Sequence, residues 1–169
     1  PNKFAFILAK FTFLNQIEFS FQQESIKISA LKELFISFQN IKNLSYLTLS
    51  FMRCQIIEDN SSFAECLLSL NHPQIRQLKL SLCQNLDNKK LTQIPQSLGK
   101  LTSLQALKFV LLFCLTIKDQ DIANLTLALQ KLVTLSALCL AFDYLPQLSS
   151  DLQNIISMLN YPKNLIWLK

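Results

Sequence analysis

The chain has 169 residues, 50% of them hydrophobic and 16% charged, which supplies a core for one structural unit and excludes a disordered tail. A single glycine, Gly99, excludes glycine-rich phosphate loops and an all-β meander of tight hairpins. The net charge of +5 is scattered along the chain with no basic run longer than Lys89-Lys90, which argues against a nucleic-acid binder and permits an acidic partner.

In chain order, the opening stretch carries Phe4, Phe6, Phe11 and Phe13 and reads as a helix. A strand is predicted near 14–19, after which Ile28, Leu31, Leu34, Phe35 and Phe38 recur at helical spacing. The next strand falls near 44–49, followed by a helix through Phe63, Leu67 and Leu70 with Asp59 or Asn60 as its N-cap. A strand near 75–80 leads to a helix through Leu91, Ile94, Leu98 and Leu101 behind Asp87. Pro95 lies within that helix and either kinks it or moves its start to about Gln93. A strand near 104–109 precedes a helix through Ile122, Leu125, Leu129 and Leu132, capped by Asp119. The strand near 135–140 is followed by a helix through Leu152, Ile155, Ile156 and Leu159 behind Ser150, and the last strand is 165–169.

One frame, L-x-x-L-x-L, runs through all six predicted strands. Its first positions are Leu14, Leu44, Ile75, Leu104, Leu135 and Leu165, at intervals of 30, 31, 29, 31 and 30. Its second are Ile17, Leu47, Leu78, Leu107, Leu138 and Leu168, and its third Phe19, Leu49, Leu80, Phe109 and Leu140. The same corner is written twice, as LNHPQIRQLKL at 70–80 and LNYPKNLIWLK at 159–169, where Pro73 and Pro162 stop a helix and feed an extended segment. No unit of one strand and one helix buries its apolar surface alone; units stacked in register bury it together.

This frame resembles that of leucine-rich repeat proteins, and the 29–31 spacing with a helix in every period is most similar to the long, ribonuclease-inhibitor-like type. The resemblance implies an α/β solenoid, a curved horseshoe with a parallel sheet of about six strands on the concave face and helices on the convex face. Residues 1–169 are then a single domain, expected to be a piece of a longer solenoid because neither end carries a polar cap. The family's motif continues to an Asn or Cys position. Cys83 falls on it, whereas the other units place Gln22, Met52, Leu112 and Asp143 there. Cys54 and Cys114 come two places later, which points to altered turns.

Given that architecture, strand alternation sends the residues between frame positions to the concave surface. One row reads Gln16, Tyr46, Gln77, Ala106, Ala137, Trp167, and the next Glu18, Thr48, Lys79, Lys108, Cys139, Lys169. The expected partner-binding residues are Tyr46, Thr48, Gln77, Lys79, Lys108 and Trp167. Tyr46 and Trp167 serve as aromatic anchors, and Lys79 and Lys108 as a positive centre for an acidic segment. The expected function is a non-enzymatic protein–protein interaction module, a scaffold or structural subunit of a larger assembly. The alternative is the recognition part of a larger enzyme system, such as a ubiquitin-ligase adaptor or a GTPase regulator.

No catalytic constellation, cofactor site or metal site is expected. The five cysteines form no CxxC pair and read as buried thiols in a reducing, cytoplasmic setting. His72, the sole histidine, is expected at the surface of a loop, and Asp119 and Asp121 serve a helix start. The longest apolar run, residues 109–117, is far below the roughly 20 residues a membrane helix takes, so no membrane contact is expected.

Overall fold

Apolar alternation outlasts the six-residue frame by one more inward residue per unit: Phe21, Phe51, Leu82, Leu111 and Phe142. The strands are accordingly seven residues long. The structure, a computed structural model, describes residues 7–8, 10–11, 13–57, 62–83, 88–146 and 166–168. The elements run β1 Gln16–Gln22, β2 Ser25–Lys27, α1 Ile28–Phe38, β3 Tyr46–Met52, β4 Gln55–Ile57, α2 Phe63–Leu68, β5 Gln77–Cys83, α3 Asn88–Leu98, β6 Ala106–Leu112, α4 Asp119–Leu129, β7 Ala137–Asp143 and β8 Ile166–Leu168. β1, β3, β5, β6, β7 and β8 form one six-stranded sheet, in chain order and parallel throughout. β2 and β4 make a second, two-stranded parallel sheet that sequence periodicity did not signal, since three residues carry no readable period. Consecutive helices pack side by side.

Each of the five long strands starts two residues later than predicted, because the first frame residue belongs to the preceding turn. The amides of Leu14, Leu44, Ile75, Leu104 and Leu135 donate to carbonyls three residues back, at Phe11, Ile41, His72, Leu101 and Leu132. The ladder opens one residue further on, where a single carbonyl accepts two amides of the next unit. Asn15 O takes the amides of Ser45 and Tyr46, Ser45 O those of Arg76 and Gln77, Arg76 O those of Gln105 and Ala106, and Gln105 O those of Ser136 and Ala137. This repeat keeps the strands in strict register, with Gln16, Tyr46, Gln77, Ala106 and Ala137 abreast.

The core lies between sheet and helices. Leu47, Leu49, Phe51, Leu78, Leu80, Leu82, Leu107, Phe109 and Leu111 project from the strands and are buried against Phe35, Phe38, Phe63, Leu67, Ile94, Leu98, Ile122 and Leu125. Phe21 stacks on Phe51 at 5.2 Å, and Phe51 meets Phe63 edge-on at 5.7 Å, so the first units are knit by aromatic contacts. Cys54 and Cys114 are buried after the turns that end β3 and β6, each with its thiol 3.5 Å from the carbonyl two residues earlier. Gln23, Arg53, Phe113 and Tyr144 occupy the same place in four units with φ of 54°, 55°, 54° and 52°, a left-handed conformation usually given to glycine, and the turn is shared by units with and without a following cysteine. The one glycine serves a different need. A Cβ on Gly99 would stand 2.9 Å from the backbone oxygen of Ala128, so the close approach of the C-terminal end of α3 to the last turn of α4 requires its absence.

Helix starts differ from several expectations. α3 begins at Asn88 and runs through Pro95, whose side chain is buried, rather than starting near Gln93. α4 has Lys118 at its N-cap, with Asp119 in the first turn; an ammonium has no lone pair, so the Asp121 carboxylate instead accepts the Lys118 amide at 2.9 Å. α2 is capped by Ser62, whose hydroxyl accepts the Glu65 amide at 3.2 Å. The expected caps Asp59, Asn60, Asp87 and Ser150, the helix at 152–159 and most of the opening stretch lie outside the described residues.

Candidate functional site

With the frame residues turned to the helices, the intervening residues are left on the other face of the sheet. Tyr46 is 43% exposed, Gln77, Lys79 and Lys108 are exposed, and Thr48 is half-buried. Register brings them together: Tyr46 stands beside Gln77 across β3 and β5, and Thr48, Lys79 and Lys108 stand abreast across β3, β5 and β6. A hollow of 340 Å³ crosses five strands here, lined by Tyr46, Thr48, Gln77, Lys79 and Lys108 together with Gln16, Ala106, Ala137 and Cys139. An indentation spanning five strands means that this face is concave at these two rows. Trp167 is in β8, beside Cys139 in the ladder; its side chain lies outside the described residues.

The two lysines are the charged residues of the lining. Neither has a hydrogen-bond or ion-pair partner among the described residues. Their Cα atoms are register partners on adjacent strands, a spacing of about 4.8 Å, so two like charges are held side by side. Ala106 and Ala137 present only methyl groups to the hollow, in the row that carries Gln16, Tyr46 and Gln77 elsewhere. Ala106, Ala137 and Cys139 were not among the selected site residues. Their signal was in the same rows, as small side chains beside large ones.

Further along the strands the middle of the face is covered. Ser81, Val110 and Cys83 are buried, with exposures of 7%, 9% and 5%, although they sit on the outward side of the alternation. Beyond the strand ends the exposed rings of Phe113 and Tyr144 meet at 5.5 Å.

His72 is not on the surface. It is 6% exposed, its Nδ1 accepts the Gln74 amide at 3.1 Å, and burial lowers its pKa against a smaller opposing effect of a hydrogen bond to the Gln39 carbonyl. The expectation failed because the neighbouring return loop, over thirty positions upstream, covers the ring. Cys66 is fully buried, and desolvation, partly offset by Lys32, pushes its thiol up to about 12, which makes it unreactive. Among the described residues no three His, Cys, Asp or Glu side chains gather as a metal would require, and no helix is long and apolar enough to cross a membrane.

The fold has a solved counterpart. The C-terminal domain of tropomodulin from Caenorhabditis elegans superposes with a TM-score of 0.56 over 92% of this chain and 88% of that one, at 16% sequence identity. That likeness extends to the fold alone, a leucine-rich-repeat-like α/β arrangement of parallel strands and helices. No family model matches the chain, and no curated protein matches its sequence.

Proposed function

We propose that the chain is a leucine-rich repeat solenoid of the long, ribonuclease-inhibitor-like type, acting as a non-enzymatic module that binds a protein partner on the concave side of its sheet. The observation that supports this most is the open hollow across five strands, lined by Tyr46, Thr48, Gln77, Lys79 and Lys108. It joins an aromatic ring, hydrogen-bonding side chains and two cations, the mixture that makes recognition surfaces. The positive centre suits an acidic segment of a protein within a larger assembly. Four buried cysteines that form no disulfide among the described residues fit a reducing, cytoplasmic setting.

The test is recovery of the native complex with variants on the two faces. Tyr46→Ala combined with Lys79→Glu is expected to lose the partner. Glu33→Lys, on the exposed side of α1, is expected to keep it. Loss with Glu33→Lys and retention with the double variant would reverse the assignment of the binding face.

A further inference from the structure

The hollow has a polarity of its own. Its β5–β6 side carries the Lys79–Lys108 pair, and its β6–β7 side carries the methyl groups of Ala106 and Ala137, with the half-buried Cys139 thiol beside them. No carboxylate lines it. Glu18, in the same row, is separated from Lys79 by the whole of β3. An anion placed between the two lysine side chains therefore meets no carboxylate competitor in the lining.

Resting on the binding-face reading above, we propose that the hollow takes an extended segment of the partner laid across the strands, bearing an acidic and an apolar side chain two residues apart. Alternate residues of an extended chain face the same way, about 6.6 Å apart. The two seats are offset by one strand spacing of about 4.8 Å across the sheet and by two residues, about 6.6 Å, along it, about 8 Å in all. A segment crossing the strands obliquely, with its carboxylate between Lys79 and Lys108, brings the side chain two residues on within reach of Ala106 and Ala137. Charge complementarity selects the first contact, and the shallow, small-residue floor selects the second. A residue directly adjacent to the acid points away from the sheet and contributes nothing.

The probe is a labelled serine-flanked peptide with the core leucine-serine-glutamate-serine-leucine, which offers the pattern in either chain direction. Controls are the same peptide with glutamine for glutamate, and an isomer with its leucines adjacent to the glutamate. The first peptide is expected to bind, the glutamine form about tenfold more weakly, and the isomer weakly as well. Lys79→Ala and Lys108→Ala are each expected to lower affinity about tenfold while melting no lower than the parent, since each removes a like-charge contact. Ala106→Leu fills the seat and is expected to abolish binding. Equal binding of the three peptides, an unaffected Ala106→Leu variant, or no binding at about 1 mM, an affinity near the weakest that counts as recognition, overturns the proposal. If the peptides fail while Tyr46→Ala with Lys79→Glu still releases the native partner, the acidic-apolar pattern falls and the binding face stands.

Discussion

His72 shows how one side chain couples the units to pH. The ring is neutral and buried, accepting from Gln74 at Nδ1. Desolvation holds its folded pKa below the ordinary value of about 6.5. The unfolded chain therefore takes up the proton first. The contribution of His72 is complete above about pH 6.5 and is lost as the pH falls from there towards the folded value. Thermal melts taken between about pH 7.5 and about pH 5.5 should show the midpoint falling. His72→Gln, which keeps a donor and an acceptor but cannot charge, should lower the midpoint at neutral pH and flatten the slope. A parent protein with no fall over that interval would show that the ring is not the titrating group.

At the scale of the element, the turn that closes each long strand is the recurring backbone problem. Four side-chain-bearing residues adopt positive φ there, and none is glycine. Phe113 and Tyr144 gain a mutual ring contact in that position, whereas Arg53 is exposed. The left-handed conformation costs an L-residue about 1–2 kcal/mol, and glycine's greater chain entropy returns about 0.5–1 kcal/mol of that. Arg53→Gly should therefore stabilise the protein by about 0.5–1 kcal/mol, a rise in melting temperature of about 1–4 °C. A drop would mean that the arginine side chain makes a stabilising contact larger than the strain. The element scale also explains the capping differences. Lys118 occupies an N-cap place where its own side chain can accept nothing, and Asp121 answers from within the helix.

Across the whole molecule, stability is distributed by neighbours. β5 and β6 have a long strand on both sides, and Leu80, Leu82, Phe109 and Leu111 are at most 1% exposed. β1 is an edge strand, and its inward Phe19 and Phe21 are half-buried. In a stack whose units contact only the next unit, opening free energy falls from the middle outwards. Amide exchange should be slowest in β5 and β6, with the Leu80 amide at least about tenfold more protected than that of Phe19. Uniform protection from β1 to β7 would instead indicate one all-or-none unit. The same arrangement sets where the hollow lies, because a hollow that spans five strands exists only when all five hold register.

The inward residues of the strands were legible one by one. Leu47, Leu78, Leu107 and Leu138 recur because each strand–helix unit needs an apolar side chain at the same height, and that need is local enough to be written in the chain. Lys79 and Lys108 could be assigned to one row for the same reason. What neighbouring units do to each other was not legible. The His72 ring meets the Gln39 carbonyl more than thirty residues away, the absence of a side chain at Gly99 depends on the carbonyl of Ala128, and the hollow joins side chains of five strands. A repeating sequence determines the contacts within a unit and the period at which units recur. The contacts between units depend on exact stacking, and only the tertiary structure decides those.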